Sequence, residues 1–515
     1  MSIDAVGNRT LFGLFDERAS MDPDKEWIVF ENRDGDVRTL TYGETRELIL
    51  RTAGGLQSAG IGHGDKVLVH LRNCPEFIIT WFALAAIGAV IVPSNVANTD
   101  RELAFIAGRA DIVAAVTLPD YEQLFAGIGS HAPRCASVFV VGGSGRIDEA
   151  RPFTDLTDHD AIDALPEVAP EDVSQILFTS GTTAKPKGVL VTHANALWSG
   201  ERAAKGMGYL PHDRCLTSLP LFHVNGQAVT TLGGLTAQAT IILLEQFVAA
   251  DYMRQIVHHK ATQTSLVATQ SKALLAQPET KHDTGHRMRT IGHAINVTDE
   301  EHEAFERRFG VRFINIYGLS EATEIVTYSP LTGPSRWPSV GLPALDREVR
   351  IADEAGNECA PGEPGEIQLR GVRGRNIMLG YFEDPDATEQ AFDGDWLRTG
   401  DHGYLDAEGY LFFVDRVKDL IKSSGQNISA SEVEEALNLH PAIVESAVIA
   451  VAHPRRGEAV KAFVVASSPL EPAEVIAHCA EHLSKYKLPE FVEFLDALPR
   501  TSVGKIAKGE LRQRG

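Results

Sequence analysis

The stretch Ile176-Leu-Phe-Thr-Ser-Gly-Thr-Thr-Ala-Lys-Pro-Lys-Gly188 carries the side chains in this sequence best suited to chemistry. An apolar strand runs into a loop dense with hydroxyls. Thr179, Ser180, Thr182 and Thr183 supply hydrogen-bond donors, Lys185 and Lys187 supply charge, and Gly181 and Gly188 let backbone N–H groups approach an anion. This composition predicts a polyphosphate ligand. A Walker-type loop is excluded, because Lys187 precedes Gly188 and Val189 follows it, where that motif requires Gly-Lys-Ser/Thr. A solvated surface turn has a similar composition, so the reading depends on what accompanies the loop.

Further motifs follow in order: Tyr317-Gly-Leu-Ser-Glu-Ala-Thr323, Trp396-Leu-Arg-Thr-Gly-Asp401, Asp415-Arg-Val-Lys-Asp-Leu-Ile-Lys-Ser-Ser-Gly425 and Pro499-Arg-Thr-Ser-Val-Gly-Lys-Ile506. Together with the phosphate loop, this set resembles the AMP-forming adenylating superfamily over nearly the whole chain. That superfamily contains acyl-CoA and aryl-CoA ligases, luciferases and peptide-synthetase adenylation domains. The resemblance implies that a carboxylate attacks the α-phosphorus of ATP, pyrophosphate leaves, and a thiol then opens the acyl-adenylate. ATP, Mg²⁺ and CoA are the implied cofactors and co-substrates.

Each motif takes a role within that scheme. Glu321 is suited to Mg²⁺, which prefers oxygen ligands and bridges phosphates, and Ser320 to the α-phosphate. Tyr317 leaves a strand end and can stack on adenine, with Gly318 beside it. Asp401 and Arg416 suit the ribose hydroxyls. Without the surrounding motifs, Ser320-Glu321 also reads as a helix start, and Tyr317 as a core tyrosine. Lys505 matches the superfamily's adenylation lysine, Lys418 its hinge, and His223 a histidine or aromatic position beside the reacting carboxylate. Gly425, in the Ser423-Ser-Gly-Gln426 loop, matches the position that leaves space for a pantetheine arm after the C-terminal domain rotates.

Trp198, Val224, Gly292, Ala294, Asn296, Leu319 and Gly341 fall in segments that line the acid pocket in relatives. Gly292-His-Ala-Ile-Asn296 departs from the usual Gly-Gly-Ala-Pro form and is expected to put polar groups near the substrate, which argues against long-chain fatty acids. Asn73-Cys-Pro-Glu-Phe-Ile78, Arg336-Trp-Pro-Ser339 and Phe412-Phe-Val-Asp-Arg416 look similar to crotonobetaine/carnitine-CoA ligases. A trimethylammonium acid, held by Trp198 or Tyr328, is the specific substrate that this similarity implies. Other short, branched or aryl acids stay open, as does a stand-alone adenylation protein that loads a carrier. A luciferase-like oxygenase would need oxygen chemistry that no motif demands. A non-catalytic relative would lack Lys505 or Glu321, and both are present.

The elements that must position these groups read as alternating β and α. Apolar runs at Lys66–Leu71, Ile112–Thr117, Ala136–Val141, Gln175–Phe178 and Thr240–Leu244, with helical patterns between several of them, predict parallel sheets covered by helices. Phe77–Val92 is uncharged but shorter than the roughly twenty residues of a membrane helix, and reads as a core helix followed by a strand. After Ile351 shorter strands broken by Gly and Pro predict a β-barrel-like subdomain over about 340–415. The expected fold is α/β, with a large N-terminal domain, 1–415, and a small mobile C-terminal α+β domain, 416–515, hinged near Lys418. In the C-terminal part, helix Ala430–Leu439, strands Val444–Val451 and Val460–Val465 and helix Pro472–Leu483 suggest a βαβ-type layer.

A formal charge of -22 argues against nucleic-acid or anionic-membrane partners, since both need a basic face, so ATP and CoA must meet local positive pockets. The five cysteines are scattered without a Cys-x-x-Cys pair, which fits a reducing cytoplasm and no zinc framework. Met1 to Thr10 carries Asp4 and does not read as a basic, apolar leader, so a secretory signal is not expected there. His258-His259 and the His282/His286 pair have spacings that could be mistaken for a metal site, but are expected at the surface.

Overall fold

The computed structural model describes residues 4–143, 146–179, 186–294, 297–333, 336–416, 419–423, 426–454, 456–500 and 506–514. The chain divides into two compact units, Met1–Glu348 with Leu369–Leu397, and Val349–Gln368 with Arg398–Gly515. No helix among the described residues is long and apolar enough to cross a membrane.

The first unit is built on two large sheets. One runs Leu342–Pro343, Glu324–Tyr328, Arg312–Leu319, Thr290–Ala294, Gln263–Val267, Arg214–Thr217, Thr240–Leu244, Glu26–Glu31, Val37–Thr41. Its central strands are parallel and its outer pairs antiparallel. The other runs Gly380–Tyr381, Lys187–Thr192, Val173–Thr179, Val90–Pro93, Lys66–His70, Ala114–Thr117, Ser137–Val140, Ala150–Pro152. Its core is again parallel, but Val173–Thr179 and Lys187–Thr192 pair antiparallel. The strand that enters the phosphate loop therefore returns beside itself, whereas a P-loop strand would feed a helix.

Helix Pro75–Ala86 shows why these sheets stack. Proline opens its first turn, Glu76 favours the N-terminal end of the dipole, and almost everything after is apolar. A helix apolar all round must be buried on every side. Phe77, Ile78, Trp81 and Phe82 share one core with Val67, Val69 and Ile91 of one sheet and Trp27, Ile28 and Ile241 of the other. Trp27 meets Phe82 edge-on at 5.5 Å. Each such large side chain contributes about 1.5–3 kcal/mol on burial. The sequence reading of Phe77–Val92 as helix then strand is met by Pro75–Ala86 and Val90–Pro93.

In the second unit, Ile443–His453 and Gly457–Ala466 pair antiparallel over their full length, and Phe491–Phe494 joins Gly457–Ala466 in parallel. The expected helix–strand–strand–helix order is present, with helices Ala430–Asn438 and Pro472–His482. The βαβ crossover, however, links Gly457–Ala466 to Phe491–Phe494; the first two strands are a hairpin. The shorter strands after Ile351 form a separate five-stranded sheet that contains Gly365–Arg370, Trp396–Leu405 and Leu411–Arg416.

Candidate functional site

Four parallel strands of the first sheet, Arg214–Thr217, Gln263–Val267, Thr290–Ala294 and Arg312–Leu319, end along one edge, and several of the expected site residues close or follow them. His223 and Val224 follow the first of these strands, Gly292 and Ala294 close the third, and Gly318, Leu319, Ser320 and Glu321 close the fourth. Carboxyl edges of open α/β sheets are where such folds bind ligands, because loops converge there and helix N-termini face the gap.

The Pro220–Gly226 segment is fixed from below by Asn73. Its side-chain amide donates to the carbonyls of Leu219 and Leu244, each at 3.0 Å, and its oxygen accepts from Leu221 N–H at 2.9 Å. Gly226 is obligatory here: a Cβ would lie 2.7 Å from the Pro220 carbonyl. From Gly226 to Leu232 the chain is a π-helix, with Thr231 donating to the Gly226 carbonyl, and Gln227 is held by Gln175 at 2.8 Å. Single π turns concentrate at functional positions because they re-aim side chains. His223 is half-buried at the mouth of this segment.

Glu321 is the most constrained of the expected residues. A short 3₁₀ turn, Ser320–Ala322, leaves the strand, and the next two residues, Thr323 and Glu324, both have positive φ, 55° and 75°. For a β-branched residue that is a strained conformation that its surroundings must impose. They do so with two buried arginines. Arg347 donates to the carbonyls of Ala322 and of Asn376, and Arg202 to the Thr323 carbonyl at 3.1 Å and to its hydroxyl at 3.0 Å. Asp346 lies between them, in a fork–fork pair with Arg202 at 2.9 and 3.0 Å. Although burial opposes its charge, Arg202 and Arg347 hold the Asp346 carboxyl below its ordinary range. Burial, with Arg202 alongside, draws Arg347 down as well. Gly318, at the start of the turn, has no room for a side chain: a Cβ would overlap the Glu324 carbonyl at 1.9 Å.

The Glu321 carboxylate itself accepts a hydrogen bond from the Tyr381 hydroxyl at 3.0 Å, and Lys187 sits over the Tyr381 ring, 4.7 Å from its centre. Burial and the nearby Glu321 charge push the Tyr381 phenol well up, so it stays a donor. Lys187 and Thr179 are the described ends of the phosphate loop, paired across the hairpin, with the Thr179 hydroxyl 3.4 Å from the Lys187 carbonyl. Tyr381 thus links the lysine of one motif to the carboxylate of another. Sequence reasoning missed it, because the short strand Gly380–Tyr381 is placed by pairing with Leu190 and Val189, far earlier in the chain.

Other expected residues lie differently from their assigned roles. Tyr317 is only 1 % exposed, so stacking on adenine would require its ring to be uncovered. Trp198 is buried in the helix His193–Gly206, and Arg202 one turn later stands 6.0 Å over its ring. Tyr328 packs against Gly206, where a Cβ would be 2.8 Å from its ring. Gly341, at φ 93°, abuts the Tyr328 backbone. Gly292 faces Met207 and Ile316, but His293 points to the opposite face of its strand, stacked on Phe313 at 4.8 Å. The expectation that His293 adds polarity to the acid pocket is therefore corrected: strand alternation sends it into the core. His259 is likewise not at the surface; it is buried and bonded to Glu31 of a distant strand.

In the second unit, Asp401 and Arg416 are opposite one another on paired strands, 3.4 Å apart, with Asp401 buried and Arg416 exposed. Ser423 pairs with Gln426 across a hairpin. Ser180, Gly181, Thr182, Thr183, Lys185, Asn296, Lys418, Gly425 and Lys505 lie outside the described residues.

Residues 15–382 match the model of the AMP-binding enzyme family, and residues 432–505 match that of the AMP-binding enzyme C-terminal domain. The chain belongs to the AMP-binding enzyme family. It is 34% identical over 517 residues to a crotonobetaine/carnitine–CoA ligase of Salmonella agona (strain SL483), covering 99% of this chain and 100% of that one. Its fold is similar to that of ATP-bound MatB from Rhodopseudomonas palustris, with a TM-score of 0.87, 28% identity and coverage of 98% and 99%. It is also similar to o-succinylbenzoate CoA synthetase (MenE) from Bacillus subtilis in complex with its acyl-adenylate intermediate, with a TM-score of 0.84, 27% identity and 98% coverage of each chain. The chain is thus an acid–thiol ligase of the AMP-binding family, and its reaction runs through an acyl-adenylate.

Proposed function

We propose that this AMP-binding enzyme joins a small carboxylic acid to CoA, with ATP converted to AMP and pyrophosphate. The observation that carries the reading is the Lys187–Tyr381–Glu321 chain, which joins the phosphate-loop hairpin of one sheet to the turn that leaves Arg312–Leu319 in the other. A cation and an oxygen ligand held this close suit the phosphates of ATP and its Mg²⁺. The residues fit the ion: one carboxylate with a free oxygen, supported by a phenol, is the sparse protein contribution that Mg²⁺–phosphate complexes use. When bound, the ion would neutralise charge on the departing pyrophosphate.

The other roles follow the same chemistry. Thr179, Ser180, Gly181, Thr182, Thr183 and Lys187 receive the triphosphate, and Ser320 the α-phosphate. Tyr317, once its buried ring is uncovered, and Gly318 meet the adenine, and Asp401 with Arg416 the ribose. Lys505 bridges the carboxylate and the α-phosphorus, while His223 stands beside the acid. Gly425 leaves room for the pantetheine arm once a C-terminal domain, 416–515, has turned about Lys418. A reducing cytoplasm, where ATP and CoA are both supplied, is the compartment this reaction implies.

Crotonobetaine and carnitine form the first substrate class, supported by the 34% identity to ligases of that name. A second class, uncharged short, branched or aryl acids, is favoured by one contact. The ring of Trp198, expected with that of Tyr328 as a seat for a trimethylammonium group, is buried and has the guanidinium of Arg202 over one face at 6.0 Å. The deciding experiment offers the purified enzyme carnitine, crotonobetaine, short-chain and aryl acids and measures pyrophosphate release and thioester formation with free CoA. AMP production with at least one acid, abolished in Glu321→Gln and Lys505→Ala, is expected. Silence with every acid, or AMP release indifferent to both substitutions, overturns the proposal.

A further inference from the structure

Far along the chain from these residues, the last turn of helix Pro472–His482 presents His478, Glu481 and His482. Spacings of three and four residues put all three on one helical face. One ligand atom from each lies within 4.8 Å of the others, and among the described residues no other group of histidine, cysteine and carboxylate side chains does this. The two imidazole rings are 4.9 Å apart. We propose that these residues form a site for a borderline transition-metal dication of the zinc class.

Three features support a built site. Two imidazoles and one carboxylate select zinc-class ions over Mg²⁺ or Ca²⁺, which prefer oxygen alone. His478 Nε2 is 3.0 Å from the Ala436 carbonyl of helix Ala430–Asn438, so the N–H on that nitrogen is spent on the backbone and Nδ1 is left as the lone-pair donor. This is the outer hydrogen bond that metal-ligating histidines use to fix their tautomer and ring orientation. The triad also occupies the C-terminal turn, where the negative end of the helix dipole favours a cation. His440, edge-on to His478 at 4.9 Å, accepts the Ala442 N–H on its Nδ1 and so keeps its proton on Nε2. It is a neighbour of the site and not a fourth ligand, which leaves the remaining positions to water.

The test is a titration of the chelator-treated full-length enzyme with Zn²⁺ in competition with a chromophoric chelator, and with Co²⁺ followed by visible absorption. The expected result is one site per chain. It should weaken about tenfold or more in His482→Gln and in Glu481→Gln, and vanish in the His478→Gln/His482→Gln double variant. CoA-ligase turnover should be unchanged in all three, because these side chains are outside the proposed acid and nucleotide sites; metal-free melting should be unchanged in the two single variants, whose side chains are exposed, and fall slightly in the double variant, which loses the His478 bond to Ala436. Equal affinity and stoichiometry in wild type and double variant would overturn the proposal. So would a thiolate charge-transfer band with Co²⁺, which would assign the bound ion to a cysteine.

Discussion

Each unit sets a charge group beside a segment expected to do chemistry, buried in the first and half-buried in the second, and the two groups are built differently. In the first unit, Arg202, Asp346 and Arg347 lie behind the Glu321 turn, two cations to one anion, with the excess charge spread over backbone carbonyls. In the second, Lys508, just beyond Lys505, makes a single 2.7 Å pair with Glu434, which also accepts the Val448 N–H. Burial pushes the Glu434 carboxyl up against the pull of Lys508, and Glu434 holds the Lys508 ammonium up against its own burial. An arginine pair cannot shed its charge, whereas a lysine–glutamate pair can neutralise. The first arrangement fixes a strained turn in one state; the second tolerates a change of protonation.

The units also differ in their neutral buried groups, and this gives the largest expected effect. Burial takes His70 and His193 from an ordinary 6.5 to about 4, and His293 to about 3. All three are in the first unit. In the second, His402 is lowered too, but it is only half-buried. Folded values below the unfolded one mean that the unfolded chain binds the extra protons. The stability is present above about 6.5 and is lost as pH falls toward 4. At about 1.4 kcal/mol per group per pH unit, the three together cost about 6 kcal/mol by pH 5. Trp27, Trp81, Trp198 and Trp337 lie within the first unit, whereas Trp396 opens a strand that runs on into the second, so tryptophan fluorescence of a Trp396→Phe variant reports the first unit. Its urea midpoint should fall steeply between pH 7 and pH 5, while amide protection in Ile443–His453 and Gly457–Ala466 holds. A flat fluorescence midpoint would remove this contrast.

Breaking the charge groups comes next. Asp346→Asn leaves Arg202 and Arg347 buried without their shared anion and should cost about 3–5 kcal/mol in urea unfolding. Lys508→Met should cost less, about 1–3 kcal/mol, because Glu434 can take up a proton. Equal costs would mean that the two groups are not built on different principles.

The order of these effects follows what was legible in the sequence. The strands were readable because buried parallel strands are near-continuous apolar runs; Thr240–Leu244 was found to the residue. The motifs around Glu321 and Asp401 were readable because glycines and acids cluster in short spans. The supports were not: Arg202, Asp346 and Asn376 come from well-separated stretches of chain, and Asn73 reaches Leu219 and Leu244. No local pattern marks a residue whose partners lie that far along the chain. His293 and His259 were misjudged for the same reason, since the strand face of one and the Glu31 partner of the other are tertiary facts.

Tyr381 offers the finest distinction between support and chemistry. Its hydroxyl touches Glu321 and its ring carries Lys187, so Tyr381→Phe deletes one hydrogen bond and leaves the ring in place. A hydrogen bond to a charged group contributes about 1.5 kcal/mol, so pyrophosphate exchange should fall about tenfold and need more Mg²⁺ for half its maximum. Thioester formation from a synthetic acyl-adenylate should be untouched, since that half reaction involves neither pyrophosphate nor its metal. If both half reactions fall together, Tyr381 serves the fold of the site in the way Arg347 does. If neither moves, the carboxylate of Glu321 is held well enough by the turn behind it, and the arginine group alone accounts for its position.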